Sequence, residues 1–223
     1  LFILLSNDIS HMLKSPQGSS KPVPSYKEEE LLLNQGFSFI AGLDEVGRGP
    51  IAGPVLAAAL ILPSRPTGEW VNMIRDSKAL TQKQRERVIP HLLSEAVAVE
   101  TGACSSQEID QIGIALATRL AMQRAVKLLR VRPDFLLLDA FPVPEIEIPQ
   151  KAIIKGDALC LSIAAASIVA KVARDQIMME YDAKYPGYGF SDHKGYPTVK
   201  HLNNLKKLGP LLIHRYTFSP VTE

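Results

Sequence analysis

The sequence predicts an α/β protein in which one β-sheet is covered by helices on both faces. Short apolar runs alternate along the chain with longer stretches of helical periodicity, an order that is typical of α/β sheets. The run over 53–62 is apolar throughout and is bounded by prolines, as expected of a strand buried on both faces. No internal repeat interrupts this order.

The N-terminal part divides into a linker-like segment and the start of a compact domain. Residues 14–25 are rich in Pro, Gly and Ser, which is typical of flexible linkers. We therefore expect residues 1–25 to form a flexible extension and residues 26–183 to form the compact core. Within the core, residues 28–34 suit a short helix that the following Gln-Gly pair ends.

Two strands and a helix are expected next. Apolar residues alternate with small or polar ones over 37–43, and this period of two predicts the first strand. The apolar run at 53–62 follows as the second strand. Residues 81–95 suit a helix that starts at Thr81 and carries charge on one side, with Pro90 as an expected break.

The second half of the core repeats this alternation. Residues 96–104 suit a third strand, and residues 106–130 suit a helix with apolar residues at helical spacing. Short apolar runs at 135–139 and 152–157 each end in an acid and predict two further strands. A helix rich in small residues is expected over 158–183.

The C-terminal part, residues 184–223, differs in kind from the core. It is rich in Pro, Gly and Tyr and is expected to form a small helical appendage with a basic helix near 198–208. The net charge of the chain is +2, but residues 184–216 hold six Lys/Arg and one Asp, a net of +5, so the remainder sums to −3. A basic end on an acidic body suggests a surface for a polyanion, although solvated helix faces are often basic too.

The composition excludes several classes of protein. Cys104 and Cys160 lie too far apart for a zinc ribbon or a Cys-x-x-Cys redox site, so both are expected to be reduced. No apolar run approaches the roughly 20 residues of a membrane span. The apolar residues 1–5 are too few for a signal peptide and lack a basic leader. We therefore expect a cytoplasmic protein.

Two adjacent carboxylates, Asp44 and Glu45, end the first predicted strand and are followed by Gly47, Arg48 and Gly49. Adjacent buried acids repel each other and lose hydration, unless a divalent cation turns the repulsion into shared attraction. Glycines beside an arginine allow the backbone of a polyanion to approach closely. The motif therefore predicts a metal site next to a site for an anionic chain.

Four acids each end or directly follow a predicted strand: Asp44, Glu45, Asp139 and Asp157. Ligands bind at the carboxyl ends of strands in open α/β sheets, so the four are expected along one edge. Such a set suits two Mg²⁺ ions about 4 Å apart that promote phosphodiester hydrolysis. Since strand neighbours point to opposite faces, both members of the first pair reach one site only if the strand bends at Glu45.

Each acid also has a structural interpretation, and spacing alone does not separate the two. Asp139 could be a turn residue at a strand end, and Asp157 could cap the helix that follows it. The pair Asp44–Glu45 could be solvated, although the apolar strand before it disfavours this. Three further acids are interpreted as structural: Asp76, Asp110 and Asp175.

Several motifs together resemble bacterial ribonuclease HII, the type 2 ribonucleases H. The resemblance covers about residues 37–221, and all the motifs stand in the family's order. They are Gly42–Pro50 with Ala52–Pro54, Asp76–Leu80, Leu138–Asp139, Lys155–Asp157 with Ala165–Asp175, His193–Tyr196 with Thr198 and His201, and His214–Arg215 with Phe218 and Pro220.

The resemblance implies a fold and an activity. The fold would be a mixed five-stranded ribonuclease H-like sheet flanked by helices, with residues 26–183 as the catalytic core. Residues 184–223 would be a C-terminal helical part that binds substrate. The partners would be RNA–DNA hybrids and duplex DNA that contains single ribonucleotides, and the protein would act as a monomer. The reaction would be two-metal hydrolysis on the 5′ side of a ribonucleotide, leaving a 3′-hydroxyl and a 5′-phosphate.

The resemblance also assigns roles to particular residues. The metal-binding acids fall on Asp44, Glu45, Asp139 and Asp157, with Asp44 bridging two Mg²⁺ or Mn²⁺ ions. Six residues are expected to contact nucleic acid: Gly47, Arg48, Gly49, Ser77, Lys78 and Tyr196. The first three would read a 2′-hydroxyl, the group that distinguishes RNA from DNA. Tyr196 would pack against the next deoxyribose, while Ser77 and Lys78 would contact phosphates. Without the resemblance, Tyr196 is a turn aromatic.

Two features distinguish this chain within the resemblance. Tyr216 stands where the family often has a second basic residue after Arg215, which would weaken a peripheral phosphate contact. Asp157 stands where the related type HIII enzymes have Glu, which argues against that subtype. Two rival functions keep a similar sheet: a non-catalytic nucleic-acid-binding module and another two-metal enzyme such as a DNA hydrolase. The first predicts loss of the strand-end acids, and the second does not need the Gly-Arg-Gly and Tyr196 pair.

Overall fold

The computed structural model of the chain describes residues 22–221. Most of the expected flexible extension, residues 1–25, lies outside the described residues. Within them the sheet comprises β1 (Ile40–Val46), β2 (Val55–Ile61), β3 (Ala98–Cys104), β4 (Phe135–Asp139) and β5 (Gln150–Ile153). The helices are α1 (Lys27–Asn34), α2 (Gln82–Glu95), α3 (Ser106–Leu128), α4 (Gly156–Leu159), α5 (Leu161–Lys184), α6 (Phe190–His193) and α7 (Val199–Leu208). Two short 3₁₀ helices span Glu69–Met73 and Ser77–Ala79.

The five strands form one mixed sheet in the order β3-β2-β1-β4-β5. The first three strands are antiparallel neighbours, whereas β4 runs parallel to β1 and β5 runs parallel to β4. The register aligns Leu43 of β1 with Leu138 of β4. The mixed five-stranded sheet flanked by helices confirms the fold that the resemblance implies.

The residues of β2 alternate between two cores, one on each face of the sheet. Ala57 packs in the core that contains Met122 of α3, and Ala58 packs in the core that contains Ile168 of α5. All seven residues of β2 are buried, which confirms a strand covered on both faces. Small alanine side chains in β2 leave room for helices on both sides, and each fully buried Ile or Met contributes about 1.5–3 kcal/mol.

The helices α2 and α3 begin at capping boxes. The Thr81 hydroxyl accepts the Gln84 backbone N–H at the start of α2, and the Ser105 hydroxyl does the same for Glu108 at the start of α3. The expected break at Pro90 is wrong, because α2 continues through it. Val88 and Leu92 are buried on either side of Pro90, so packing holds the helix together there. The single helix expected over 106–130 is kinked, with non-helical backbone at Gly113.

Several element boundaries differ from those predicted. The first strand begins at Ile40 and continues to Val46, so the two acids lie inside it. The last strand ends at Ile153, four residues before Asp157. The expected helix over 158–183 is divided into α4 and α5 by Cys160, whose extended backbone ends the first of them.

The C-terminal part docks onto the segment that follows β1. The Ile51 N–H donates to Gly195 O (2.9 Å), and the Arg215 N–H donates to Ile51 O (2.9 Å). Ala52 pairs with His214 in an isolated antiparallel bridge. Cys104 and Cys160 are unpaired, as expected, and both are buried. Among the helices that the structure describes, none combines the length and hydropathy that a membrane span requires.

Candidate active site

Asp44 and Asp139 are neighbours because their strands are parallel and in register. Each directly follows the aligned pair Leu43 and Leu138, at the carboxyl ends of β1 and β4. Asp44 is buried and Asp139 is half-buried. The expectation of carboxylates along one sheet edge is met by these two residues.

Glu45 lies beside Asp44 without the bend that alternation led us to expect. The β1–β2 ladder continues through Glu45 and Val46, so the expected bend is absent from the strand. The Glu45 N–H donates to Asp44 Oδ1 (2.8 Å), and Glu45 Oε1 accepts from Arg48 Nη1 (3.3 Å). Glu45 nevertheless lies within electrostatic range of Asp139.

Asp157 reaches the same edge from a helix and not from a strand. It occupies the first turn of α4, where it is buried, and its Oδ2 lies 3.3 Å from Lys78 Nζ. The neighbouring Gly156 N–H donates to Asp139 Oδ1 (2.7 Å). This contact joins the start of α4 to the end of β4 and brings Asp139 and Asp157 together.

The four carboxylates interact electrostatically, and burial raises the pKa of three of them. Desolvation raises the pKa of Asp44 well above its usual range, and the charges of Glu45, Asp139 and Asp157 add to this. Desolvation also raises the pKa of Glu45, against the effect of Arg48, and that of Asp139, where Asp157 adds to it. Burial and mutual repulsion therefore disfavour full ionisation of the cluster unless a cation is bound.

This cluster has the chemistry of a divalent-cation site. Glu45 Oε2 is buried and has no hydrogen-bond partner within the described residues, and an oxygen in that position needs a cation or a donor. An all-carboxylate donor set is what Mg²⁺ and Mn²⁺ prefer. As the side chains stand, no three acids, histidines or cysteines in residues 22–221 converge closely enough to enclose an ion.

A buried arginine forms hydrogen bonds to the Gly-Arg-Gly loop, which is defined as residues 47–49. Arg215 is fully buried, and its guanidinium donates to three carbonyl oxygens: those of Gly47 (2.5 Å), Arg48 (2.9 Å) and Gly53 (2.9 Å). Burial lowers the pKa of Arg215 to about 9, and the charge of Arg174 adds to this. Hydrogen bonds from Arg215 to these carbonyl groups therefore fix the backbone of the loop.

A second buried arginine, Arg174 of α5, explains the glycine at position 47. Gly47 has φ +90°, and a Cβ there would lie 2.2 Å from Arg174 Nε. Arg174 donates to the carbonyls of Pro54 (3.0 Å), Ala52 (3.2 Å) and Lys194 (3.0 Å). It therefore connects the segment after the Gly-Arg-Gly loop to the segment that carries Tyr196.

Tyr196 lies beside the Gly-Arg-Gly loop. A Cβ at Gly49 would lie 3.6 Å from Tyr196 Cε1, so the ring and the loop border one surface. Tyr196 and Gly49 are both exposed, and so is Arg48, whose guanidinium lies 5.3 Å from the centre of the Phe141 ring. The structure thus brings the expected reader of the 2′-hydroxyl and the expected reader of the deoxyribose together.

Ser77 and Lys78 differ in their environments. The Lys78 amine is largely exposed and pairs with Asp157; partial burial lowers its pKa, but the charges of Asp157 and Asp44 outweigh this and raise it. Ser77 is buried, and its hydroxyl accepts from the Ser167 hydroxyl (2.7 Å). The prediction of a phosphate contact therefore suits Lys78, whereas the Ser77 hydroxyl faces the interior.

The three acids interpreted as structural all have partners outside the cluster. Asp76 caps the second 3₁₀ helix by accepting from the Lys78 N–H (2.9 Å), and Asp175 pairs with Lys171 (2.7 Å). Asp110 accepts from the backbone N–H groups of Tyr216 (2.9 Å) and Thr217 (3.0 Å). All three hold backbone or side chains in place away from the four clustered carboxylates.

The sequence interpretation missed the roles of four buried residues. Arg174, His201, His214 and Arg215 lie in the motifs, yet they contact protein groups and not solvent. A signal in the sequence exists for His214 and Arg215, which directly follow the apolar run at 211–213.

Comparison with known proteins identifies the family. The family model described as Ribonuclease HII matches residues 41–221. A ribonuclease HII of Dehalococcoides mccartyi is 53% identical over 198 residues, which cover 89% of this chain and 94% of that protein.

Solved structures share the fold. The ribonuclease H2 from Pyrococcus horikoshii OT3 matches with a TM-score of 0.67 at 26% identity, covering 82% of this chain and 95% of that one. Bst-RNase HIII, in a complex with Mn²⁺, matches with a TM-score of 0.62 at 17% identity, covering 86% of this chain and 70% of that one, and shows the common fold alone. These matches confirm the resemblance: the chain belongs to the ribonuclease HII family and is an endoribonuclease that hydrolyses the RNA strand of RNA–DNA hybrids.

Proposed function

We propose that this ribonuclease also incises duplex DNA on the 5′ side of a single embedded ribonucleotide. The reaction leaves a 3′-hydroxyl and a 5′-phosphate. The observation that carries the proposal is the position of the carboxylate cluster beside two readers of sugar identity, the Gly-Arg-Gly loop and Tyr196. A DNA hydrolase would need the acids but not these readers.

The proposed metal ligands are Asp44, Glu45, Asp139 and Asp157, which together hold two divalent ions. Mg²⁺ and Mn²⁺ both suit an all-oxygen donor set, and a structural relative, Bst-RNase HIII, was obtained with Mn²⁺. Such ions lower the pKa of a water molecule and stabilise the leaving oxygen of a phosphodiester. Glu45 Oε2 and the raised pKa of Asp44 support the assignment, because both reflect negative charge that lacks a counter-charge.

The proposed substrate contacts follow from exposure and from backbone geometry. With its carbonyls held by Arg215, the Gly-Arg-Gly loop can offer backbone groups to a ribose 2′-hydroxyl. Tyr196 packs on the neighbouring deoxyribose, whose missing hydroxyl leaves room for an aromatic ring. Lys78 contacts a phosphate near the cleaved bond and gives up part of its pairing with Asp157 when metal is bound. Ser77 supports this region through Ser167.

The proposed working form is a cytoplasmic monomer that binds hybrid or ribonucleotide-containing duplex through its C-terminal part. Two buried, unpaired cysteines suit a reducing compartment. Lys206 and Lys207 in the last turn of α7 place positive charge on that part. Binding through phosphates makes the affinity fall steeply with salt.

The Asp44→Asn variant tests the catalytic proposal. The substitution keeps the shape of the side chain and removes one negative charge, so cleavage should fall by at least about a thousand-fold while duplex affinity stays within a few-fold. Single-turnover cleavage of an RNA–DNA hybrid and fluorescence anisotropy with the same hybrid measure the two quantities. Near-normal cleavage would show that Asp44 is not a metal ligand.

A further inference from the structure

Three buried histidines lie beneath Tyr196: His193, His201 and His214. The His201 and His193 rings are stacked, with their centres 4.2 Å apart and their planes 12° apart. Phe190 meets the edge of His201 at a centre distance of 5.4 Å and an angle of 83°. His201 and His214 are fully buried, so packing allows each ring little freedom to rotate.

Backbone groups determine which nitrogen of each ring carries the proton. The Leu211 N–H donates to His214 Nδ1 (2.9 Å), so the proton of the neutral His214 ring is on Nε2. His214 Nε2 lies 3.2 Å from His201 Nε2 and donates to it. The remaining proton of His201 is therefore on Nδ1, which donates to Tyr196 O (2.9 Å).

Both rings of this chain are neutral at physiological pH. Desolvation lowers the pKa of His201 to about 4 and that of His214 to about 4. The groups that contact the pair are the third imidazole, the rings of Phe190 and Tyr188, and backbone groups of Tyr196 and Leu211. The hydrogen bond to the Tyr196 carbonyl raises the pKa of His201, but desolvation outweighs it.

The segment that carries Tyr196 has no freedom to move without breaking these contacts. The Gly195 N–H donates to His193 Nδ1 (3.2 Å), and the Tyr196 N–H donates to His193 O (2.9 Å). Gly195 has φ +85°, and a Cβ there would lie 2.4 Å from Ala52 O. The backbone on both sides of the tyrosine is therefore held by imidazoles and by the segment after β1.

We propose that His214 and His201 form a relay of neutral imidazoles that positions Tyr196 and thereby sets the preference for single embedded ribonucleotides. The proposal rests on the proposed role of Tyr196 as the reader of the deoxyribose. Both histidines are positioning residues, since the Tyr196 backbone lies between them and the exposed surface. Loss of the hydrogen bond from His201 leaves the Thr198 N–H as the remaining donor to Tyr196 O and loosens the backbone that holds the ring beside Gly49.

The test compares two replacements of His201 that differ in where the amide lies. The Asn amide nitrogen lies close to the position of Nδ1 and can still donate to Tyr196 O, whereas the Gln amide lies close to the position of Nε2. His201→Gln should lower the ratio of kcat/KM on a single-ribonucleotide duplex to that on a uniform hybrid by about five- to ten-fold. His201→Asn should keep this ratio within about two-fold of wild type. The control variant His91→Asn, at an exposed position, should leave the ratio unchanged.

Two further measurements distinguish failure of the relay from failure of the proposed function. Nitrogen-15 NMR of the wild-type imidazoles should show the proton of His201 on Nδ1 and that of His214 on Nε2; the opposite tautomers overturn the relay even if no variant folds. The variant Tyr196→Ala serves as the reference for the function. If Tyr196→Ala lowers kcat/KM equally on both substrates, the proposed reading role fails. If it lowers the ratio of the two kcat/KM values but His201→Gln does not, the inference fails.

Discussion

At Gly47 a side chain would meet two obstacles at once. The residue has φ +90°, which strains any other L-residue, and a Cβ would lie 2.2 Å from Arg174 Nε. Gly47→Ala should therefore lower the free energy of unfolding by about 2–4 kcal/mol and displace the Gly-Arg-Gly loop. Urea denaturation measures the first effect, and cleavage of a single-ribonucleotide duplex measures the second.

Gly36 provides a matched control for this prediction. Its φ is +97°, close to that of Gly47, but a Cβ there would have nothing within 4 Å. Gly36→Ala therefore carries the backbone strain without the clash and should cost about 1 kcal/mol with no loss of cleavage. Equal effects of the two substitutions would show that Arg174 yields easily and does not fix the loop.

The helix α2 contains an exposed proline that its packing tolerates. Pro90 removes one backbone hydrogen bond, yet Val88 and Leu92 are buried on the sheet side and hold the helix in place. Pro90→Ala restores the N–H donor and should raise the free energy of unfolding by about 1 kcal/mol, since greater freedom of the unfolded chain offsets part of the gain. Thermal unfolding measures the change, and a lowered Tm would contradict it.

Most elements could be predicted from the sequence because their local patterns and their burial agree. The continuous apolar run of β2 and the cap at Thr81 each indicate the element that forms, whereas β1 is buried on both faces over residues 40–44 and does not follow the alternation in the sequence. The end of β1 could not be predicted, because pairing with β2 carries the strand through the two acids to Val46. The predicted bounds of the last strand lie too far toward the C-terminus for a similar reason, because the bounds of β5 depend on its pairing with β4.

The clustering of the acids could be predicted, but the groups that hold the proposed substrate readers could not. Asp44 and Asp139 follow apolar runs that a sequence reveals directly. The contacts of Arg215 join it to Gly47, 168 residues earlier, and no local pattern indicates such a pairing. The same holds for His201 and His214, whose hydrogen bonds depend on how α7 and the C-terminal segment meet.

Metal binding should stabilise the whole molecule. Burial raises the pKa of Asp44, so its folded-state pKa lies above the unfolded value and its ionisation at pH 7 opposes folding. Mg²⁺ at 100 times its Kd should add about 2.7 kcal/mol to the free energy of unfolding. Metal-free Asp44→Asn should be more stable than the metal-free wild type and should gain less from Mg²⁺. Calorimetry with and without EDTA measures both, and an unchanged Tm of the wild type would contradict a bound ion.

Acid should destabilise the molecule through its buried histidines. The folded-state pKa of His201 and of His214 is about 4, below the ordinary value of 6.5. The unfolded chain therefore binds protons first, and the stability from each histidine is complete above pH 6.5 and is lost as the pH falls toward 4. We expect a loss of roughly 2 kcal/mol per histidine between pH 7 and pH 4.5.

A comparison of the wild type with His201→Asn isolates the histidine contribution from that of the acids. The carboxylates whose pKa is raised make the folded state more stable as the pH falls, which is opposite to the effect of the histidines. Both proteins contain these carboxylates, so their effect cancels in the comparison. Urea denaturation at several pH values should show a steeper acid loss for the wild type. Parallel curves would contradict a buried neutral His201.

The most direct test of the account is incision of duplex DNA that carries one ribonucleotide, in the presence of Mg²⁺ or Mn²⁺, with analysis of the product ends. The account predicts a single cut on the 5′ side of the ribonucleotide, with a 3′-hydroxyl and a 5′-phosphate, and no cut by Asp44→Asn. Cleavage of a uniform hybrid without any cut at the single ribonucleotide would contradict the proposed reading of one 2′-hydroxyl by the Gly-Arg-Gly loop and Tyr196. A cut on the 3′ side with a cyclic phosphate end would contradict the carboxylate cluster as the site of two-metal hydrolysis.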